Sequence, residues 1–322
     1  MKAIRVQHTG GPEVMEVVEV SLPQAKGSEA VVKVNIAGVN SIDGQFRDGR
    51  LRTPLPFIPG QEGAGVVTAL GPQAKLVKVG DRVAWSGTLG SYAEYISTPE
   101  EHLVPVPDAI SDDQATAAMM HGLTAHYLVN SAHKLKSGET ALVHAAAGGV
   151  GLLVVQMAHA IGARVIGTAS SDEKAKLARE AGADEVIIFT RQDFETEVRK
   201  LTHERGVDVV YDGVGKATFD KNLNVMCPRG MLVVYGMSSG AVPPVDPAKL
   251  SEKGSLYMAR TTLAHFTATR EELLARTSAL FRMIADGTLH MRIAKKYALA
   301  DAAQAHRDME SRKLAGKLLL VP

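Results

Sequence analysis

Three glycines carry the clearest chemical signal in this chain of 322 residues. Gly148, Gly149 and Gly151 interrupt the stretch ALVHAAAGGVGLLVVQMAHAIGA (141–163), which starts as a short apolar run and resumes with Leu152, Val155, Gln156 and His159 at helical spacing. Strand, glycine turn and helix in that order can bind a phosphate. Residues without Cβ let the main chain approach a pyrophosphate, and the first helical turn offers unpaired N–H groups and a positive dipole end. Against the pattern G-x-G-x-x-G the residues are Ala146, Ala147, Gly148, Gly149, Val150 and Gly151, with alanine in first place. Alone, that imperfect match identifies nothing. Thr140 to Ala163 contains no charged residue, but three central glycines, and an apolar part after them worth about half a bilayer at ~1.5 Å per residue, argue against a membrane span.

The next strand distinguishes between nicotinamide cofactors. An Asp or Glu at its end binds the 2′-hydroxyl of NAD, whereas a cationic, hydroxyl-rich end accepts the 2′-phosphate of NADP. Here it ends Gly167-Thr168-Ala169-Ser170-Ser171-Asp172-Glu173-Lys174, so Ala169 or Ser170 stands where the carboxylate is expected and Lys174 follows one turn on. The reading is NADPH. Ser170 and Glu173 also form a capping box, which is compatible, because a capped helix start binds phosphate too. Asp172 opposes that phosphate if it points inward.

Other chemistry is sparse. Cys227 is the single cysteine, so there is neither an internal disulfide nor a cysteine-built zinc site, and it reads as a small packed residue. Of 11 histidines none falls at ligand spacing, and His121 and His126 read as surface or packing residues of one helix.

The elements that must position these groups fall into two textures. Residues 1 to about 122 are β-rich: Val31–Val39 and Gly63–Leu70 are apolar and β-branched, Lys78–Val83 is a turn feeding a short strand, and Pro54, Pro56 and Pro59 mark an irregular loop. Thereafter strands expected at Ala141–Ala147, Arg164–Ala169, Glu185–Phe189, Asp208–Asp212, Met231–Gly236 and Leu256–Ala259 alternate with helices at Val150–Ile161, Asp172–Ala181, Phe194–Glu204 and Thr218–Val225. Such alternation calls for a doubly wound parallel sheet, since parallel neighbours need crossovers. A helix over Glu271–Asp286 with Leu274, Ser278, Phe281 and Ala285 on one face, a second over Leu299–Arg312 and a strand at Leu318–Val321 close the chain. The tail is too short for a domain of its own. The expected organisation is α/β, with a catalytic domain of 1–122 and 261–322 and a cofactor domain of 123–260.

Hydrophobic residues at 45% and charged ones at 22% are ordinary for a globular chain, and 36 basic against 35 acidic residues leave a net charge of +1. That balance gives no field to draw in nucleic acid or an anionic membrane. MKAIRVQHTG lacks the apolar core of a signal peptide, so the expected location is cytoplasmic.

The landmarks, taken in order, resemble the zinc-independent quinone oxidoreductases of the medium-chain dehydrogenase/reductase superfamily, the family that includes zeta-crystallin. They are His8-Thr9-Gly10-Gly11-Pro12-Glu13-Val14, Gly38-Val39-Asn40-Ser41-Ile42-Asp43, Pro59-Gly60-Gln61-Glu62-Gly63-Ala64-Gly65, Gly80-Asp81-Arg82-Val83, Gly122-Leu123-Thr124-Ala125, Ala145–Gly151, Val210-Tyr211-Asp212 and Gly236-Met237-Ser238-Ser239-Gly240. Gly254 through Leu273 is especially similar to the bacterial NADPH:quinone reductases. The resemblance implies a GroES-like β-rich catalytic domain, a Rossmann domain and a homodimer. It implies that Asn40 and Ser41 lie near the nicotinamide, with Thr124 on the cofactor's other side. Asn40 is the candidate catalytic residue, positioning the substrate, and Asp43 is structural. Gly149 and Val150, between Gly148 and Gly151, would offer N–H groups to the pyrophosphate. Ser170, Ser171 and Lys174 would hold the 2′-phosphate, and Tyr235, Gly236, Ser238 and Ser239 would line the nicotinamide half. Arg312 and Arg260 complete the implied cofactor set. Zinc relatives carry His beside the Glu of the Gly-x-Glu segment together with cysteines; this chain has Gln61 before Glu62, so the expectation is metal-free.

Two departures stand out, the first near the adenine phosphate, where phenylalanine could stack but not hydrogen-bond, and the second bearing on substrate. Phe189 stands where the family has a tyrosine, and Gln45 and Leu51 stand where the bacterial enzymes place tyrosines of the quinone loop. The implied reaction passes hydride, or separate electrons and a proton, from NADPH to a quinone. Its alternatives are reduction of an enone or alkenal double bond, and a non-catalytic, crystallin-like NADPH-binding role.

Overall fold

The computed structural model describes all 322 residues. They form two compact units, Met1–Leu123 with Thr267–Pro322, and Thr124–Phe266.

In the first unit β1 (Lys2–Val6) pairs antiparallel with β2 (Met15–Glu19). The long β3 (Glu29–Val39) is the backbone of a larger sheet, followed at once by α1 (Ser41–Arg47). It pairs antiparallel with both β4 (Glu62–Leu70) and β6 (Tyr95–Pro99), while β5 (Arg82–Ser86) joins β4 to β7 (Val104–Pro105). Val32, Val34, Trp85, Tyr92 and Leu103 make its core, as the alternation of β-branched residues along β3 requires. The chain then enters α2 (Asp112–Ala117), opened by a Ser111–Gln114 capping box.

From α3 (Leu123–Tyr127) the second unit runs β8 (Thr140–Val143), α4 (Gly149–Ile161), β9 (Arg164–Ala169), α5 (Asp172–Glu180), β10 (Glu185–Ile188), α6 (Phe194–Leu201), β11 (Val207–Asp212), α7 (Phe219–Val225), β12 (Met226–Val234), α8 (Pro247–Glu252), β13 (Tyr257–Arg260) and α9 (Leu263–Phe266). All six strands are parallel, in the order β10-β9-β8-β11-β12-β13. Strand order reverses between β8 and β11, which opens a crevice beyond their carboxyl ends. Phe266 stacks on Tyr127 with centroids 4.2 Å apart, tying the last helix into this unit.

The chain closes in the first unit with α10 (Arg270–Ala285), β14 (Ile293–Ala298), α11 (Ala302–Glu310) and β15 (Lys317–Val321). β15 lies antiparallel to β3, pairing Leu318 with Val39 and Leu320 with Ala37.

Some elements differ from expectation. The strand expected to reach Ala147 stops at Val143; residues 144–147 turn instead, with Ala145 at a φ of 51°, although His144 and Ala146 still donate backbone N–H groups to Tyr211 and Thr168. The buried face of α10 is Leu273, Thr277, Leu280, Phe281 and Ile284, so of the expected stripe only Phe281 is buried. Thr277 can be buried because its hydroxyl donates to the Leu273 carbonyl at 2.8 Å. No helix is long and apolar enough to cross a membrane.

Candidate active site

In the second unit the candidate cofactor residues sit at the carboxyl ends of the strands. Gly148 is the extended N-cap of α4, and the N–H groups of Gly149, Val150 and Gly151 open the helix without intrahelical acceptors. A Cβ on Gly151 would collide with the Ala145 carbonyl, so glycine is required there for the helix to seat against the turn. Beneath this turn runs a buried chain of donors. Asn222 gives its Nδ2–H to Asp212 at 2.8 Å, so its oxygen faces His144 Nε2 at 2.7 Å and accepts a hydrogen bond from that N–H. Burial lowers the His144 imidazole from its usual range, against the opposing pull of Asp212 and Asn222, and so favours the neutral ring; its Nδ1 accepts from Thr168 at 3.1 Å. The Thr168 hydroxyl in turn accepts the Ala145 N–H, and Asp212 takes further N–H donors from Val214 and Gly215 and the Thr218 hydroxyl. The ends of β8, β9 and β11 are thereby pinned together.

The loop Tyr235–Ser239 packs on this frame. Tyr235 N–H donates to the Asp212 carbonyl, Ser238 N–H to Gly213, and the Ser239 hydroxyl to Val214 at 2.7 Å. Gly236 lies against Gly213 too closely for a side chain. Arg260, ending β13, donates to the Thr261 and Val234 carbonyls, and Thr124 sits half-buried on α3.

At the end of β9 the cap is Ser171, whose hydroxyl accepts the Lys174 N–H at 3.3 Å, so the capping box expected of Ser170 and Glu173 does not form. The cap falls one residue later, and the Lys174 side chain carries no acceptor to complete a box. The Ser170 carbonyl accepts the Thr190 hydroxyl. Asp172 does not stand alone against the site: Arg191 holds it at 2.6 Å, with both side chains largely exposed. Phe189, whose backbone N–H donates to the Ala169 carbonyl at the end of β9, is 51% exposed. Two hydroxyls, Lys174 and a guanidinium gathered at one strand end fit an adenosine 2′-phosphate, and the open first turn of α4 fits a pyrophosphate.

Asn40, Ser41 and Arg312 belong to the first unit. Ser41 is exposed, while Arg312 follows α11 at a φ of 55°. Asn40 is 5% exposed and is hydrogen-bonded at its amide nitrogen, its amide oxygen and its backbone N–H. Its Nδ2 donates to Glu62 Oε1 at 2.9 Å, its Oδ1 accepts from Lys317 Nζ at 2.6 Å, and its backbone N–H donates to Asp43 at 2.8 Å. Glu62 also accepts the Met120 N–H and forms a buried ion pair with Lys317. Gly38 leaves the room for this carboxylate, which a Cβ there would strike. His121 is pushed well below its usual range by burial, with the Lys317 charge adding to the effect.

Asp43 ends a second donor chain. Arg47 has only donors, so His306 Nδ1, 3.0 Å away, accepts. Burial, with Arg47 adding, lowers His306 to about 3, so the ring is neutral and carries its proton on Nε2, which donates to the Tyr92 oxygen at 3.0 Å. The Tyr92 hydroxyl then donates to Asp43 Oδ2 at 3.2 Å. Asp43 Oδ1 has no partner, and burial, with backbone and charge effects opposing one another, lifts this carboxyl to about 7. The motifs contain Asp43 and Asp212, but no spacing rule in the sequence links them to His306 or Asn222.

No group of three or more His, Cys, Asp or Glu side chains converges anywhere. The one carboxylate suited to a metal, Glu62, is committed on both oxygens, with Lys317 supplying the cation. This donor set does not fit zinc.

Residues 149–279 match the zinc-binding dehydrogenase family, and residues 26–108 the alcohol dehydrogenase GroES-like domain. The chain is 43% identical to the quinone oxidoreductase of Pseudomonas aeruginosa, with 100% of this chain and 99% of that protein covered. It is 37% identical to a 2-haloacrylate reductase of Burkholderia, with 98% of each covered. The crystal structure of Escherichia coli quinone oxidoreductase complexed with NADPH is similar at a TM-score of 0.97 and 39% identity, with 100% of both chains covered.

Proposed function

The chain belongs to the quinone oxidoreductase family, and from that premise we propose that it is an NADPH:quinone oxidoreductase acting without a metal ion. The observation that carries the cofactor choice is the end of β9, where Ser170, Ser171 and Lys174 follow one another and Arg191 pairs with Asp172. In this reading the second unit is the cofactor domain and the first the catalytic domain.

NADPH, when bound, supplies the hydride. Gly149 and Val150 present N–H groups to its pyrophosphate, with Gly148 and Gly151 keeping side chains out of the way. Ser170, Ser171 and Lys174 hold the 2′-phosphate and Phe189 stacks on the adenine. Tyr235, Gly236, Ser238, Ser239, Thr124 and Arg260 shape the nicotinamide half, and the family resemblance assigns Asn40, Ser41 and Arg312 to the cofactor as well. Asn40 has one N–H not used inside the protein, which it donates to the acceptor carbonyl oxygen as that oxygen gains charge. The product is a phenol-like quinol with pKa near ~10, so water completes its protonation and no dedicated acid is needed. Orientation and water exclusion are the protein's contribution.

The likeness to a 2-haloacrylate reductase favours a second reading, reduction of an activated carbon–carbon double bond, with Gln45 and Leu51 shaping the acceptor site. Loss of absorbance at 340 nm with NADPH and a panel of quinones and enones separates the two. Tight NADPH binding without turnover of any acceptor points to the crystallin-like role. The reading includes a cytoplasmic homodimer, for which the exposed edge strand β13, with Tyr257 60% exposed, is the available pairing surface.

A further inference from the structure

A carboxamide looks nearly the same whichever way it is turned, yet its two ends have opposite chemistry. At Asn40 the oxygen meets an ammonium and the nitrogen meets a carboxylate. Turned by 180°, the amide would set its oxygen against Glu62 and its NH2 against Lys317, two repulsive contacts in place of two charge-assisted bonds. Lys317 is 2% exposed and Glu62 not at all, so solvent cannot relieve the mismatch. The charges packed nearby are Asp43 and Arg47 on α1 and the neutral His121. None of them supplies a cation to the amide oxygen, a position that Lys317 alone fills.

We propose that Lys317 is the positioning residue of the active site: with Glu62 it locks the Asn40 amide so that only an N–H remains for the acceptor, and its charge on the amide oxygen strengthens that N–H as a donor. The inference rests on the quinone reductase reading for its kinetic consequence, though not for the lock itself. It gives β15 a functional role, because the β15–β3 ladder is what brings a lysine at the end of the chain onto a residue at the end of β3.

Lys317→Met alone strands a buried carboxylate and can fail to fold. The informative protein is therefore the neutral pair Glu62→Gln with Lys317→Met. We expect kcat with a quinone to fall about tenfold while the KM for NADPH stays within about twofold, as for an interaction made with the reacting carbonyl. The second readout is independent of turnover. In ¹H–¹⁵N spectra the Asn40 side-chain NH2 pair, identified by its loss in Asn40→Ala, should be widely split and slow to exchange in the parent, and narrow and fast in the double variant. An unchanged Asn40 pair, or an unchanged kcat in a parent that turns over quinone, overturns the proposal. A parent that turns over no quinone while its Asn40 pair responds as expected overturns the quinone reading and upholds the lock.

Discussion

Asp43→Asn should change how stability depends on pH. Asp43 is fully buried, and burial lifts its carboxyl from 3.8 to about 7. The stability it allows is greatest below about pH 4, where the group is protonated in both states, and falls as pH rises toward 7, because the unfolded chain gives up its proton first. A rise from 3.8 to about 7 corresponds to about 4 kcal/mol of lost stability, essentially complete above pH 8. Asparagine keeps an oxygen for the two donors that reach Oδ2, the Asn40 N–H and the Tyr92 hydroxyl, and cannot ionise. Its NH2 group inherits the position of the partnerless Oδ1, at a cost that does not vary with pH. Trp85, the single tryptophan, is buried in the same unit and reports its unfolding by fluorescence. Urea midpoints measured from pH 4 to 8 should fall more steeply in the parent than in Asp43→Asn, the curves drawing together or crossing as pH rises. Parallel curves would refute the burial of an ionising carboxylate at this position.

Lys174→Glu should weaken NADPH binding by about tenfold or more, since it reverses a charge beside the phosphate, and leave NADH little changed. Fluorescence titration of both cofactors measures this, and equal losses would count against the phosphate assignment. Gly151→Ala should lose about 1–3 kcal/mol of stability and most of its NADPH affinity, because its new methyl meets the rigid Ala145 carbonyl. Calorimetry with and without cofactor checks both parts. Asn222→Leu should destabilise the second unit by about 2–4 kcal/mol, since His144 Nε2–H and an Asp212 oxygen then lose their partner together, and the loss should not be recovered by saturating NADPH.

The glycine turn and the alternation of strands and helices were legible because both are local: a residue without Cβ and a short apolar run mean the same thing in any context. The end of β9 was legible for the same reason, although which serine caps α5 depended on where the backbone leaves the sheet. The buried face of α10 was not. Thr277 looks polar in sequence and is buried only because the helix supplies a carbonyl for its hydroxyl. Least legible were the partners of Asn40 and Arg47, since Lys317 and His306 lie 277 and 259 residues away and arrive by way of β15 and α11. No spacing rule reaches across a chain whose tail returns to its first unit.

The two donor chains are built alike and differ in how they end. Each holds a histidine neutral by burial, each has one consistent direction of hydrogen bonding, and each delivers its last donor to a buried aspartate. Asp212 receives donors on both oxygens, from Val214, Gly215, Thr218 and Asn222, and so serves as a finished anchor for the loops over β8, β9 and β11. Asp43 receives two donors on one oxygen and none on the other. A fully satisfied network rigidifies, whereas a partly satisfied one keeps a free-energy cost that a proton can remove. The frame under Asn40 therefore relaxes on protonation near neutrality. Turnover limited by Asn40 should vary with pH around 7 in the parent and lose that dependence in Asp43→Asn, as kcat measured at saturating NADPH from about pH 5.5 to 8.5 would show.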